Sequence, residues 1–286
     1  MMKFIHVTDP HLVAPPQRLC ALNPAERLTG VVEDVNRAHG DAAFMVLTGD
    51  LSYHGLEPAY REMKAILARL AIPCHLLIGN HDDRAAFRRV FPETPADPDG
   101  FVQYVVETPA GAFVMLDTVE AGAERGVLCE SRLAWLEAEL KARAGTPVFL
   151  FLHHPPFEIG VRGLDASRLA PAEALAAMLR AHGQVRHIFY GHVHRPVAGS
   201  WHGIPASSLP GTNHQVGLYL GPEPELVGTH EPPAYGVCLI DEATIAVHLC
   251  FFEDTGARFR LSDAKSKAAV GVEDLVPLPP EVRDLV

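Results

Sequence analysis

Cysteine is scarce in this 286-residue chain. The five present, Cys20, Cys74, Cys129, Cys238 and Cys250, are widely spaced, odd in number and mostly set in apolar surroundings. That pattern excludes a disulfide framework and reads as reduced, buried thiols in a cytoplasmic protein. No apolar run approaches the ~20 residues that span a bilayer. Residues 1–8 carry no basic region followed by a long apolar stretch, so no signal peptide is expected. Basic charge is in deficit, with 24 Lys and Arg against 35 Asp and Glu, a net charge of −11. Neither a nucleic-acid backbone nor an anionic membrane would be steered to such a surface. There is no internal repeat and no low-complexity tract. What remains, 48% hydrophobic and 21% charged residues, is ordinary globular composition at a length near the upper limit for one domain.

Apolar, β-rich runs alternate with helical patterns. Residues 4–8, 44–48, 74–78, 113–116, 148–152 and 187–190 read as buried strands. A first helix is expected with Asn23 as N-cap, Pro24 at its first position and Glu26 at its third, burying Leu28, Val31, Val32 and Val35. A second places Tyr60, Met63, Leu67 and Leu70 at helical spacing. A third follows Ser131 with Leu133, Leu136 and Leu140, and a fourth follows Pro171 with Leu175, Met178 and Leu179. Strands alternating with helices imply an α/β protein in layers. Residues 1–198 are expected to form a catalytic core. Residues 199–286 are expected to complete it with a hairpin around Asp241-Glu242, then a proline-rich arm serving as a surface or oligomer contact.

Five short motifs close apolar runs: Asp9-Pro10-His11, Gly49-Asp50, Gly79-Asn80-His81-Asp82, His153-His154-Pro155-Pro156 and Gly191-His192-Val193-His194. Asp9, Asp50, Asn80, His153 and His192 each fall just past the end of an expected strand, where loops converge and ligand sites of α/β sheets form. Only Asp, Asn and His fill these slots, and no Cys does. Oxygen plus imidazole suits Zn²⁺, Mn²⁺, Fe or Co²⁺ better than a thiolate-held structural zinc. Any one of these motifs alone is ordinarily structural; the set in this order is the signal.

The ordered set resembles the calcineurin-like metallophosphoesterase superfamily, whose signature reads D-x-H, G-D, G-N-H-[D/E], H and G-H-x-H. Three further pieces resemble its class III cyclic-nucleotide and glycerophosphodiester phosphodiesterase branch: Leu116-Asp117-Thr118, the stretch from Gly126-Val127-Leu128 to Leu133-Ala134-Trp135-Leu136, and Thr212-Asn213-His214-Gln215. The resemblance implies a four-layer αββα sandwich of two mixed sheets. It implies one metal held by Asp9, His11, Asp50 and His194, and a second by Asp50, Asn80, His153 and His192, with Asp50 bridging. The cofactor would be two divalent or trivalent ions drawn from Mn²⁺, Fe²⁺/Fe³⁺, Zn²⁺ and Co²⁺. A hydroxide made by these ions would attack phosphorus in line, with Asp50 and His81 as catalytic residues and Asn80, His81 and His214 contacting substrate.

The expected substrate is a small phosphodiester, either a 3',5'-cyclic nucleotide or a glycerophosphodiester, and the expected assembly a homo-oligomer, most simply a dimer. A protein phosphatase of this superfamily carries Gly-Asp-x-x-Asp-Arg-Gly, where this chain reads Gly49-Asp50-Leu51-Ser52-Tyr53-His54-Gly55. A phosphomonoesterase of the same superfamily and a non-catalytic metal-binding module are the alternatives. Asp82 either orients His81 or caps the helix entering at Asp83, and the cap is preferred. His154 is expected to support the ligands rather than join them. His54 either lines the pocket or is a solvated loop residue. Arg84, Arg88 and Arg89 read as a solvated helix face, with phosphate binding the other option. His6, His39, His75, His182, His187, His230 and His248 receive no functional role.

Overall fold

A computed structural model describes residues 1–254 and 256. The proline-rich arm within 263–286 lies outside the described residues. In chain order the elements are β1 (Met2–Val7), α1 (Pro24–Ala38), β2 (Met45–Thr48), α2 (Glu57–Leu67), β3 (Cys74–Leu77), α3 (Arg84–Val90), β4 (Tyr104–Thr108), β5 (Gly111–Leu116), α4 (Glu130–Ala142), β6 (Val148–Leu152), α5 (Arg162–Asp165), α6 (Glu173–His182), β7 (Val185–Tyr190), β8 (Val197–Trp201), β9 (Ile204–Ser208), β10 (Gln215–Val216), β11 (Gly228–Thr229), β12 (Tyr235–Ile240) and β13 (Ile245–Cys250).

Two mixed sheets carry the molecule. One runs β13-β12-β1-β2-β3 and the other β4-β5-β6-β7-β9-β8. The central strands are parallel within each sheet, while β12, β4 and β8 run antiparallel to their neighbours. The six expected strands are all present, as continuous apolar runs because both of their faces are covered. Alternate residues of β6 serve the two faces. Phe149 and Phe151 join the core that also holds Phe4 of β1 and Phe44 just before β2, while Val148, Leu150 and Leu152 pack with Leu136 and Leu140 of α4 and Leu175 and Leu179 of α6. Phe4 lies edge-on to Phe113, Phe151 and Phe189 at 5.1, 5.8 and 5.4 Å, which locks sheet to sheet. The first sheet's other face packs on α1, α2 and α3, giving the expected αββα layers.

Asn23 caps α1, its side chain accepting from the Ala25 and Glu26 amides, and Leu28, Val31, Val32 and Val35 are buried as expected. Other expectations need correction. The third helix does not wait for Ser131; it begins at Glu130 behind Cys129, and Arg132 rather than Leu133 is fully buried. The second ends at Leu67, so Leu70 lies beyond it. Strands β4, β8 and β9 were not legible. The residues of β8 are mostly exposed because it forms a sheet edge, so it has no apolar run to read. The hairpin β12–β13 joins the first sheet by pairing β12 with β1 at the far end of the chain.

Candidate dinuclear metal centre

The parallel strands of both sheets end at one edge, and the loops leaving β1, β2, β3, β6 and β7 bring the motif residues together. Asp9, His11, Asp50 and His194 form one cluster of donor atoms, all buried. Five of the eight non-glycine residues with positive φ among the described residues are Asp9, His11, Asp50, His192 and His194, at +48 to +69°. Left-handed backbone at non-glycine positions costs of order 1–3 kcal/mol each and persists only where surrounding structure enforces it, typically at functional sites. Gly79 answers a different constraint. A Cβ there would collide with Asp50 Oδ1 and come within 2.7 Å of His153 Cε1, so only glycine lets the β3 loop reach the carboxylate.

The protons of the imidazoles can be placed from their partners. His153 donates Nδ1–H to the Thr48 carbonyl at 2.7 Å, which in the neutral ring leaves Nε2 as an acceptor. His194 donates Nδ1–H to the His214 carbonyl at 2.8 Å, again freeing Nε2. The Ser167 hydroxyl donates to the Leu164 carbonyl, so its oxygen accepts His192 Nε2–H at 2.7 Å and His192 Nδ1 is the free nitrogen. Outer-shell acceptors of this kind fix tautomer and ring orientation in metal-ligating histidines.

With the protons so placed, acceptors face acceptors. Asn80 Oδ1 lies 3.1 Å from His153 Nε2 and 3.0 Å from His192 Nδ1. His11 Nδ1 has no partner, and its Nε2 lies 2.9 Å from His194 Nε2, where a proton or a cation can sit between the two nitrogens. Lone pairs converging at such distances need a cation or extra protons between them, and the N/O donor set suits a first-row transition ion. Asp50 joins the clusters. Its Oδ1 is 3.3 Å from His153 Nε2 and its Oδ2 is 3.4 Å from His11 Nε2. Asp9 turns Oδ1 toward His194 Nε2 at 3.3 Å and Oδ2 to the Thr8 hydroxyl, and the His192 amide is shared between the two oxygens at 3.2 and 3.1 Å.

The electrostatics agree. Burial alone would depress the pKa of His153, but the Asp50 carboxylate outweighs it and pushes the ring up to about 9. Burial also opposes the charge on Asp9, yet His194 beside it holds the carboxyl well below the usual range. His192, buried and beside His153, is pushed down to about 3. The pocket is built to compensate two carboxylates with positive charge.

His154 lies close to His153 and His192, but its lone pair is spent. The Glu124 carbonyl can only accept, so it takes Nε2–H at 3.1 Å, and Nδ1 then accepts from the Thr118 hydroxyl at 2.8 Å. With both ring nitrogens engaged, His154 supports the neighbouring histidines. A Cβ at residue 126 would come within 2.6 Å of its ring, which explains the glycine that opens Gly126-Val127-Leu128.

His81 stands beside both clusters. Its backbone amide donates to Asp50 Oδ1 at 3.0 Å, its Nδ1–H to the Tyr53 carbonyl at 2.9 Å, and its ring stacks on Tyr53. Nε2 is left free. The His214 ring lies 5.3 Å from that of His11 and 4.7 Å from that of His194, and burial with the nearby His194 pushes it down to about 4.

Asp82 overturns its expected role. It caps no helix; Asp83 caps α3 by accepting from the Ala86 amide. Asp82 is buried and accepts from the amides of Leu51, Ser52 and Gly79 and from the Tyr60 hydroxyl. It staples the loop carrying Asp50 to the loop carrying Asn80, and burial together with the Asp50 charge pushes it up to about 6. Arg84 is bidentate to buried Asp117 at 2.8 and 2.9 Å, so its cation is spent on scaffold; Arg89 pairs with Glu57, and Arg88 donates to the Gly100 carbonyl. Sequence reading also missed Tyr53, Thr48 and Ser167, which act through a carbonyl or a distant contact and carry no local signature.

A cavity of about 570 Å³ opens beside His81, lined by His54, Arg84, Arg88, Asp99, Val119 and Ala121 among others. A larger cleft of about 790 Å³ lies between Met1, Thr108, Pro147, Arg186 and Asp241, and holds none of the donor residues. Chemistry rather than size marks the site.

Residues 2–196 match the calcineurin-like phosphoesterase family. The chain is 44% identical over 266 residues to a probable cyclic nucleotide phosphodiesterase of Rhodopseudomonas palustris, covering 92% of this chain and 97% of that one. It is 29% identical to a probable glycerophosphodiester phosphodiesterase of Arcobacter nitrofigilis, over 82% of this chain and 86% of the relative. A dimetal phosphatase from Danio rerio shares the fold, with a TM-score of 0.66 at 17% identity across 87% of this chain and 95% of the other.

Proposed function

The chain belongs to the calcineurin-like phosphoesterase family, and on that premise we propose that it is a dinuclear metal-dependent phosphodiesterase of small diesters, cyclic nucleotides first and glycerophosphodiesters second. The observation that carries this reading is the pair of acceptor clusters joined through the two oxygens of Asp50. Asp9 Oδ1, His11 Nε2, Asp50 Oδ2 and His194 Nε2 would hold one ion. Asp50 Oδ1, Asn80 Oδ1, His153 Nε2 and His192 Nδ1 would hold the other. Mn²⁺, Fe²⁺/Fe³⁺, Zn²⁺ and Co²⁺ all fit these donors. Such a pair supplies Lewis acidity to the phosphoryl oxygens and lowers the pKa of an attacking water.

The side chains do the rest. In its doubly protonated form, with Nδ1–H donated to the Tyr53 carbonyl, His81 carries its second proton on Nε2 and passes that proton to the departing alkoxide. Asn80 and His214 border the phosphate position. The arm on the leaving side runs into the cavity beside His81, whose 570 Å³ falls in the range of about 300–1,000 Å³ usual for small-molecule sites. Two names among its relatives, cyclic nucleotide and glycerophosphodiester phosphodiesterase, support the substrate class.

Diesters should be preferred to monoesters. A monoester dianion rewards extra cationic clamps, and Arg84 is engaged by Asp117 while Arg89 is engaged by Glu57. After Mn²⁺ loading, bis(aryl) phosphate is expected to exceed the matching aryl monoester in kcat/KM. A tenfold advantage for the monoester would sink the phosphodiesterase reading and leave the family assignment standing.

The working assembly is a dimer of a cytoplasmic enzyme. Its motivation is the exposed apolar run of Leu218, Leu220, Leu226 and Val227 in the region after His194, a patch that suits an interface between copies. Sedimentation at micromolar concentration should give twice the mass of 31.1 kDa; a single monomeric species would refute it.

A further inference from the structure

His6 received no role from the sequence, yet it ends a hydrogen-bond chain that starts at a candidate ligand. The Thr8 hydroxyl donates to Asp9 Oδ2 at 2.6 Å, the Thr48 hydroxyl to Thr8 Oγ1 at 2.9 Å, and His6 Nε2 lies 2.9 Å from Thr48 Oγ1. The direction is forced. A carboxylate only accepts, so Thr8 donates to it and must accept from Thr48. Thr48 has then spent its proton and accepts from His6 Nε2–H.

His6, Thr8, Thr48 and Asp9 are all fully buried, so no solvent competes for these bonds. The His6 ring is edge-on to Phe151 and Phe189, and Nδ1 has no hydrogen-bond partner. Burial and the neighbouring His187 push this imidazole down to about 3, so it is neutral and its one proton sits on Nε2. Leaving a buried ring nitrogen unpaired costs free energy, and phenylalanine would fill the same aromatic surroundings without that cost. The chain keeps the donor.

We propose that His6 is a positioning residue for the Asp9 cation site: by donating into the Thr48–Thr8 chain it holds Asp9 Oδ2, while Oδ1, which shares the His192 amide, turns toward His11 and His194. The inference rests on the dinuclear reading above. It also predicts selectivity between the sites. The Thr48 backbone carbonyl that accepts from His153 is untouched by side-chain changes, so breaking the hydroxyl chain should spare the Asn80 site.

The test is a titration of metal-free protein with Co²⁺, followed by calorimetry and visible absorption. His6→Phe is expected to weaken one of two sites by about 10–100-fold, the usual cost of losing an outer partner of a metal ligand, and to leave the other at wild-type affinity. His6→Gln, whose amide N–H reaches a similar place, should restore the weakened site to within a few-fold. Thr48→Val removes the same link without disturbing the aromatic packing, and carries the test if His6→Phe does not fold; the same one-site loss is expected.

Two sites at wild-type affinity in the folded variants would overturn the proposal. So would equal weakening of both sites with a lowered Tm of the metal-free protein, since a merely structural role predicts that. Failure of the wild-type protein to bind two ions would overturn the dinuclear reading itself.

Discussion

Asp50→Ala protein is expected to carry no bound metal after Mn²⁺ loading and desalting, and to show no measurable diester hydrolysis. The carboxylate is 2% exposed and is the one group whose two oxygens face different clusters. Without it, each ion would keep only neighbours that are neutral, apart from Asp9 on one side, and two cations about 3.5–4 Å apart would repel with nothing spanning them. Asn80→Ala is the contrast. Its neutral amide belongs to one cluster alone, so that substitution should empty a single site.

Removing one partner of a buried charge pair costs about 3–5 kcal/mol of stability, so far-UV circular dichroism of the metal-free variant must accompany the metal analysis. A folded Asp50→Ala protein holding a full pair of ions would refute the bridging role.

His81→Ala comes second, with turnover expected to fall by about 10²-fold or more and metal content to be nearly unchanged. The side chain bonds to Tyr53 and belongs to neither cluster. Its only link to Asp50 is the backbone amide, which alanine keeps. A general acid matters in proportion to the basicity of the group that leaves. The loss should therefore be larger for a cyclic nucleotide, which expels an alkoxide, than for an activated aryl diester, whose phenolate needs no proton. Equal losses on both would mark His81 as an oxyanion donor rather than an acid. Loss of a metal ion would make it a ligand and put Asn80 in doubt.

The layers and the loop positions of the site were legible because their causes are local. Asn23-Pro24 announces a helix start through its own cap bonds, and apolar runs such as Val148–Leu152 announce strands because both faces must be covered. The candidate ligand motifs were legible for the same reason, each being a short stretch at the end of such a run. Asp82 was misread because the cap rule uses neighbours in sequence, whereas its partners Leu51 and Ser52 lie about thirty residues upstream. His6 was passed over because a buried histidine in a strand has no local mark distinguishing a donor from filler.

Sequence alone determined which candidate ligand residues gather at one sheet edge, since residue type and strand ends are properties of short segments. Only the tertiary structure decided which nitrogen of each histidine is free, that Asp50 faces both clusters, and that both ring nitrogens of His154 are already engaged. Each of those rests on an acceptor brought from elsewhere in the chain: the Thr48 carbonyl to His153, the His214 carbonyl to His194, the Glu124 carbonyl to His154. A proton's position on an imidazole is set by its partner, and the partner is chosen by folding.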